Sequence, residues 1–426
     1  MIWLIPLLLI LIVIGIPIAF SLGFVSIIGI LFTDPSLLIN LPRRVFSGVN
    51  NFTLVAVPLF ILAGELMTKG GISKRLIDFS KTIVGPLPGG LAMVVVLASM
   101  FFSALTGTAI AAAAAIGGMM IPAMKKEGYD IGFSTSLVAT SATIGPIIPP
   151  SIVLILFGVI ASVSIGDLFV AGVIPGILMG IALMAYSYVV GRKQNYRSSE
   201  QRATVKEIVR GAKDAVLALL MPIIIIGGIV SGIFSPTESG VVAVVYALLI
   251  GMFVYKEIRM EDFWPILLNT AKTTAAIVFL IGTASLFIWF LSFKRIPNQL
   301  IEIMGGISDN PILLLLIINI VLLIAGTFID TISAVSIFTP LFLPMILAAG
   351  VDPIHFGIIM AVNLTIGMVT PPLGVCLFVT ASIAKIKVPK MFRHLFPQIA
   401  LLIAVLFAVT YIPEVVLFPL EFFSNR

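Results

Sequence analysis

The chain has 426 residues, of which 60% are hydrophobic and only 10% charged, with a formal net charge of +6. Soluble globular proteins carry about 25% charged residues, so a soluble domain is excluded; the alternation that a membrane β-barrel needs is absent too. The positive surplus sits in loops between long apolar runs, which argues for membrane orientation and against nucleic-acid binding.

The first apolar run extends from Met1 to Phe32 without a charge. A bilayer-spanning helix needs roughly 20 such residues. The run has no basic n-region and no small-residue cleavage site, so it reads as a retained span rather than a signal peptide. Arg43 and Arg44 follow it and favour an outside N-terminus. Glu65, in "AGELMTKGG", reads as a solvated or paired residue at a span boundary.

Leu91 to Ala123 is long for one span and short for two, given ~1.5 Å of rise per residue and ~30 Å of hydrocarbon. A small and polar patch, "SALTGTAIAAAA" from Ser103, interrupts it. A re-entrant helical hairpin with its tip at the patch fits both facts; a single long tilted helix is the alternative. Next comes "TIGPIIPPS" from Thr143, where a proline pair stands among isoleucines. Proline lacks an N–H and clashes with the carbonyl four residues back. Pro149 therefore frees the Gly145 carbonyl, and Pro150 that of Pro146. Bare carbonyls survive at membrane depth only where protein or a cavity satisfies them. A hard alkali cation is one such partner, with Thr143 supplying a hydroxyl nearby. A plain structural kink is the alternative.

A basic stretch from Arg192 to Lys213 divides the chain and is predicted to be cytoplasmic, either as a membrane-surface helix or as a solvated linker. After the apolar run Val216 to Phe234, "FSPTESG" spells a capping box, with Ser235 as N-cap, Pro236 first in the helix and Glu238 third. Leu313 to Ala349 then repeats the hairpin pattern, with the patch "AGTFIDTISA" from Ala325. Its Asp330 is an acid at membrane depth, a functional candidate by default, for which a structural or ion-tuning role is predicted. "TIGMVTPPL" from Thr365 repeats the broken-helix pattern, with Pro371 and Pro372 opposite Gly367 and Met368. The chain closes on a last apolar run, Leu395 to Leu420.

Eight landmarks recur across the basic stretch, each pair 222 positions apart: Pro122/Pro344, Gly128/Gly350, Asp130/Asp352, Thr143/Thr365, Gly145/Gly367, Pro149/Pro371, Pro150/Pro372 and Pro175/Pro397. The chain is an internal duplication, the ground plan of many secondary transporters. The expected organisation is a first repeat at 1–190, with a hairpin at about 90–124 and a broken helix at about 131–162. A linker at 191–214 leads to a second repeat at 215–426, with a hairpin at about 311–348 and a broken helix at about 354–384. No P-loop, GxSxG or HExxH is present, and His355 and His394 have no metal-ligand spacing. Nothing supports an enzyme. Transport would draw on an ion gradient, or the protein would be a passive pore.

The stretches "VPLFILAGELMTKGGISKRL", "SALTGTAIAAAAAIGGMMIPAMKKEGYD", "SATIGPIIPPSI", "SGIFSPTESGVVAVVYAL", "GTFIDTISAVSIFTPLFLP" and "TIGMVTPPLGVCLFV" cover nearly the whole chain. They resemble the large membrane subunit of tripartite ATP-independent periplasmic (TRAP) transporters, within the ion-transporter superfamily of elevator type. One departure stands at the first hairpin tip. Many family members carry a Gly-Ser-Ser type patch followed by Asp, where this chain reads Thr106-Gly107-Thr108-Ala109-Ile110-Ala111.

The resemblance implies an all-α polytopic membrane protein of two inverted repeats, with re-entrant hairpins and discontinuous helices. It implies sodium-driven import of small carboxylates, such as sialic acid, other sugar acids or dicarboxylates, across a bacterial inner membrane. A periplasmic substrate-binding protein would deliver the substrate and a small four-helix membrane subunit would brace the chain in the lipid. The chain's start at a transmembrane run suggests that this subunit is separate. Two or more sodium ions are expected, one near Thr106, Gly145, Ile148 and Pro150, another near Asp330, Gly367, Thr370 and Pro372. Substrate would lie near Ser103, Thr108 and Thr331. The alternatives are a stand-alone sodium/dicarboxylate symporter and a passive anion channel.

Overall fold

The computed structural model describes residues 3–196, 205–296, 299 and 310–424, all in helices and their connections, with no strand among them. Eight helical stretches among these residues are long and apolar enough to cross a membrane. Ala109–Lys126, Pro311–Phe328 and Thr331–Ala348 are among these eight, whereas Ile131–Ala142, Ile152–Ala161, Pro353–Gly367 and Val375–Ala384 are shorter apolar helices.

The N-terminal run does not form the single span expected of it. Two helices share it: α1 (Leu4–Val13) and α2 (Ile18–Leu31), 10 and 14 residues long. Between them Gly15 takes a φ of +95° and Pro17 is extended, so the first helix ends and a new one starts from the proline. The amphipathic α3 (Asn40–Val49) carries Arg43 and Arg44; α4 (Ala56–Lys69) and α5 (Ile72–Val84) follow.

Then comes the first hairpin, α6 (Gly90–Thr106) and α7 (Ala109–Lys126), and the first broken helix, α8 (Ile131–Ala142) and α9 (Ile152–Ala161). The long α10 (Ile165–Lys193) leads to the basic linker. Residues 197–204 of the predicted 191–214 linker lie outside the described residues. Beyond it run α11 (Val205–Val230), α12 (Pro236–Leu249) and α13 (Met260–Phe293). The second hairpin is α14 (Pro311–Phe328) and α15 (Thr331–Ala348); the second broken helix is α16 (Pro353–Gly367) and α17 (Val375–Ala384). α18 (Phe392–Tyr411) and α19 (Glu414–Ser424) end the chain.

The duplication is visible role by role. Asp130 caps α8 by accepting from the Phe133 N–H at 2.8 Å, and Asp352 caps α16 by accepting from Ile354 at 2.8 Å and His355 at 3.0 Å. Gly128 and Gly350 both turn the chain at positive φ. Pro122 and Pro344 lie inside the second hairpin helices, Pro175 and Pro397 inside the long helices that follow the breaks. The capping box at Ser235 and Glu238 is present as read, with Glu238 accepting from the Ser235 N–H at 2.7 Å.

Packing between the repeats is reciprocal. α7 packs on α8 of its own repeat and on α17 of the other, while α15 packs on α16 and, across the repeat boundary, on α9. Hairpins and broken helices thus form one interlocked block. Buried amide and hydroxyl bonds tie α18 to it: Thr140 donates to Gln398 at 2.9 Å, and Gln398 donates to Ser136 at 3.2 Å. α4 packs on α12 and α13 and reaches the block at the first hairpin.

Candidate functional site: a cavity between two hairpin tips

Both broken helices end in the same way. After α8 the turns tighten to three-residue hydrogen bonds, from Ile144 to Ser141 at 3.3 Å, Gly145 to Ala142 at 3.0 Å and Ile147 to Ile144 at 3.0 Å. After α16, Val369 bonds Ile366 at 3.1 Å and Thr370 bonds Gly367 at 2.9 Å. Each ladder then meets a proline pair with no N–H to continue it. Both Pro-Pro bonds are cis.

The carbonyls expected to be bare are mostly not. The Ser151 hydroxyl donates to Pro146, the Thr370 N–H to Gly367, and the Cys376 N–H to Met368 at 3.1 Å. Of the four, only the Gly145 carbonyl receives no donor among the described residues. The breaks are therefore largely satisfied by the chain's own groups.

The hairpin tips seat directly on these breaks. Gly107, at φ +61°, closes α6, and a Cβ there would lie 2.5 Å from the Pro150 carbonyl oxygen. Gly145 answers from the other side: a Cβ would lie 2.9 Å from the Thr108 carbonyl oxygen. Only glycine permits main chain to approach main chain this closely. In the second repeat a Cβ on Gly367 would lie 2.5 Å from the Gly326 Cα, and Gly374 donates to the Thr327 carbonyl at 3.4 Å.

Oxygen atoms without partners cluster along the same elements. The Ser103 and Ser141 hydroxyls and the Asn363 side-chain carbonyl are buried and unbonded. Ser141 and Asn363 are 222 positions apart, so the two repeats leave an oxygen free at the same place, one turn ahead of Gly145 and Gly367. Asn363 is held by its amide, which donates to the Asn319 side chain at 2.7 Å and main chain at 3.0 Å. Asn319 in turn donates to Thr410 at 3.0 Å. None of these amides was singled out in the sequence. The signal was available as two polar letters at the repeat spacing, each just before a broken-helix threonine.

Between the tips opens a cavity of about 720 Å³. Thr106, Gly107 and Thr108 line it from the first tip, Asp330 and Thr331 from the second, and Pro146 and Met368 from the breaks. α4 and α13 close it with Glu65, Thr68 and Thr273. Another cavity of about 720 Å³, bordered by Asn51, Ser162, Asp167 and Phe234, lies away from both tips.

Thr106, Thr108, Asp330 and Thr331 thus meet at one cavity, although the sequence assigned them to separate ion and substrate sets. Gly145, Ile148 and Pro150 lie behind the first tip, where the Ile148 side chain packs over Gly176 of α10. Gly367 backs onto the second hairpin, the Thr370 hydroxyl is bound to Ile366 at 2.8 Å, and Pro372 is exposed. Ser103 is buried one turn below the first tip. Glu65 lies one turn before the end of α4, as its boundary reading has it, but it is half-buried, lines the cavity and has no ion-pair partner among the described residues. Which face a helix residue takes depends on what packs there, and one helix's sequence does not contain that.

The two second hairpin helices present unequal N-termini to the cavity. Asp330 caps α15, accepting from the Ser333 N–H at 3.1 Å. Thr108, its counterpart, makes no side-chain cap, so the first N–H groups of α7 are left open where Ala109, Ile110 and Ala111 line the cavity. An uncapped helix N-terminus favours an anion.

Twin hairpins seated on twin interrupted helices around one cavity define a membrane transporter built from two repeats. The chain belongs to the family described as "Tripartite ATP-independent periplasmic transporter, DctM component", which it matches over residues 5–415. It is 40% identical over 406 residues to the isethionate TRAP transporter permease protein DctMQ of Oleidesulfovibrio alaskensis, covering 95% of this chain and 64% of that one. It is 39% identical to the sialic acid TRAP transporter large permease protein SiaM of Vibrio cholerae, covering 96% of each chain. To the C4-dicarboxylate TRAP transporter large permease protein DctM of Pseudomonas aeruginosa it is 40% identical, covering 93% and 92%. Among solved structures, the Alcanivorax borkumensis YdaH transporter shares the fold, with a TM-score of 0.63 at 14% identity and 89% of each chain covered.

Proposed function

We propose that this chain is the permease subunit of a sodium-coupled importer of small carboxylates in a bacterial inner membrane. A periplasmic binding protein hands over the substrate, and a small membrane subunit braces the chain. The observation that carries the reading is the cavity shared by both tips, into which the open α7 N-terminus faces. Anionic substrates in the names of the sialic acid and C4-dicarboxylate relatives support the same class, and "large permease" in those names supports a smaller membrane partner.

Sodium fits the surrounding donor set. A hard cation prefers neutral and anionic oxygen, and the first break offers the Gly145 and Thr108 carbonyls with the unbonded Ser141 hydroxyl nearby. The second offers the Asn363 carbonyl beside Gly367 and Gly326. Binding there draws tip and break together, which orders the α7 N-terminus for the anion. Ion and anion then favour each other's binding, as reciprocal coupling requires. The interlocked hairpins and broken helices move as one body against the α4, α12 and α13 side, in the manner of an elevator.

Reconstituted uptake tests the proposal. Proteoliposomes holding this chain, its membrane partner and the binding protein accumulate a carboxylate only under an inward sodium gradient. Accumulation that persists without that gradient would overturn symport. Sodium-independent, non-saturating flux would indicate the passive channel, and full activity of this chain alone the stand-alone symporter.

A further inference from the structure

α4 crosses the first hairpin tip at Gly64, where a Cβ would lie 3.4 Å from the Thr106 Cα. The next residue, Glu65, lines the cavity and has no hydrogen-bond or ion-pair partner among the described residues. The basic residue nearest on this helix, Lys69, is held by Asp262 at 3.1 Å. Among the described residues no lysine, arginine or histidine lines the cavity, and its other acid, Asp330, is engaged in capping α15. An unpaired carboxylate thus stands beside the tip whose helix N-terminus is open to an anion.

We propose that Glu65 sets specificity in this cavity: it admits a carboxylate that carries hydroxyl or ammonium donors and rejects one that carries a second carboxylate. The inference rests on the carboxylate reading of the cavity and deepens it. An ionised carboxylate only accepts hydrogen bonds, so a donor-bearing substrate gains a charge-assisted bond from it. A second anionic group meets a like charge in a confined, partly desolvated space. Discrimination by repulsion of this kind is a common device at specific sites.

Thermal unfolding of the purified full-length chain in sodium, titrated with D-gluconate or succinate as probes, tests it. Gluconate should stabilise the chain at a concentration at least about tenfold lower than succinate does. Glu65→Gln should narrow that gap to within about threefold, and Glu65→Asp, which keeps the charge, should preserve it. An unchanged gap in Glu65→Gln, or a wild-type preference for succinate, would overturn the inference. So would a change in the sodium requirement of Glu65→Gln at unchanged anion preference, because Glu65 would then be a cation ligand. Stabilisation by neither anion in any variant would remove the carboxylate reading itself, and this inference with it.

Discussion

Thr108 and Asp330 occupy the same position in the two repeats, yet only Asp330 closes its helix with a side chain, accepting from the Ser333 N–H at 3.1 Å. Thr108→Asp should install the missing cap on α7. A good N-cap contributes about 1 kcal/mol, so the variant should unfold at a higher temperature than the wild type. The same carboxylate would occupy the proposed anion seat, and, on that proposal, carboxylate uptake should fall by at least about tenfold. Differential scanning fluorimetry alongside proteoliposome uptake checks both halves. A variant that is stabilised and still transports normally would show that the anion binds elsewhere.

Asp330 itself is separable into cap and charge. Asn caps nearly as well as Asp, whereas Ala does not. Asp330→Asn should retain the thermal stability of the wild type, and Asp330→Ala should lose about 1 kcal/mol. If Asp330→Asn also lowers sodium affinity, measured from the sodium dependence of uptake, the charge tunes an ion in addition to the cap.

Gly107 takes a left-handed conformation with the Pro150 carbonyl where its Cβ would be. Gly107→Ala should therefore cost about 1–2 kcal/mol in backbone strain alone and lift the tip off the break, abolishing uptake. Gly118, on α7 with nothing within 4 Å of a built Cβ, is the matched control. Gly118→Ala should transport normally and gain up to about 1 kcal/mol. Equal behaviour of the two variants would contradict the seating of tip on break.

Ser141 and Asn363 leave a buried oxygen free at one repeat-equivalent place. Ser141→Ala should raise the sodium concentration for half-maximal uptake while leaving stability nearly unchanged, since no protein bond is lost. Asn363→Leu should raise it too, and should in addition destabilise the chain by about 1–3 kcal/mol by stranding Asn319. Sodium titrations at fixed substrate separate the two contributions.

The capping box at the start of α12 lies outside the cavity. Ser235→Ala removes the acceptor for the Glu238 N–H and should lower stability by about 1 kcal/mol. The apparent affinity for substrate should stay as it was, which uptake kinetics at several substrate concentrations would check.

What the sequence revealed and what it concealed follow from the chemistry of the letters. Proline and glycine constrain or free the main chain whatever surrounds them, so the breaks at Pro149 and Pro371 and the tip at Gly107 can be read directly. Asp130, Asp352 and Ser235 are legible for a similar reason, because short polar side chains ahead of an apolar run bond the first turn of a helix. The N-terminal run was misread as one span because its charge-free length outweighed Gly15 and Pro17. The cavity beside Glu65 is not legible in α4 alone, because the hairpin tip that meets Gly64 comes some forty positions later in the chain. The fate of the Pro146 carbonyl depended on Ser151 reaching back to it, a contact that exists only once the proline pair has turned the chain.

The packing of α15 on α9 and of α7 on α17 has a consequence for biosynthesis. The first repeat leaves the ribosome before residues 331–348, which pack on α9, have been made. During that interval the faces of α7 and α9 that meet α17 and α15 lack those partners. Both contacts can therefore close only after the second repeat has been translated as far as α17.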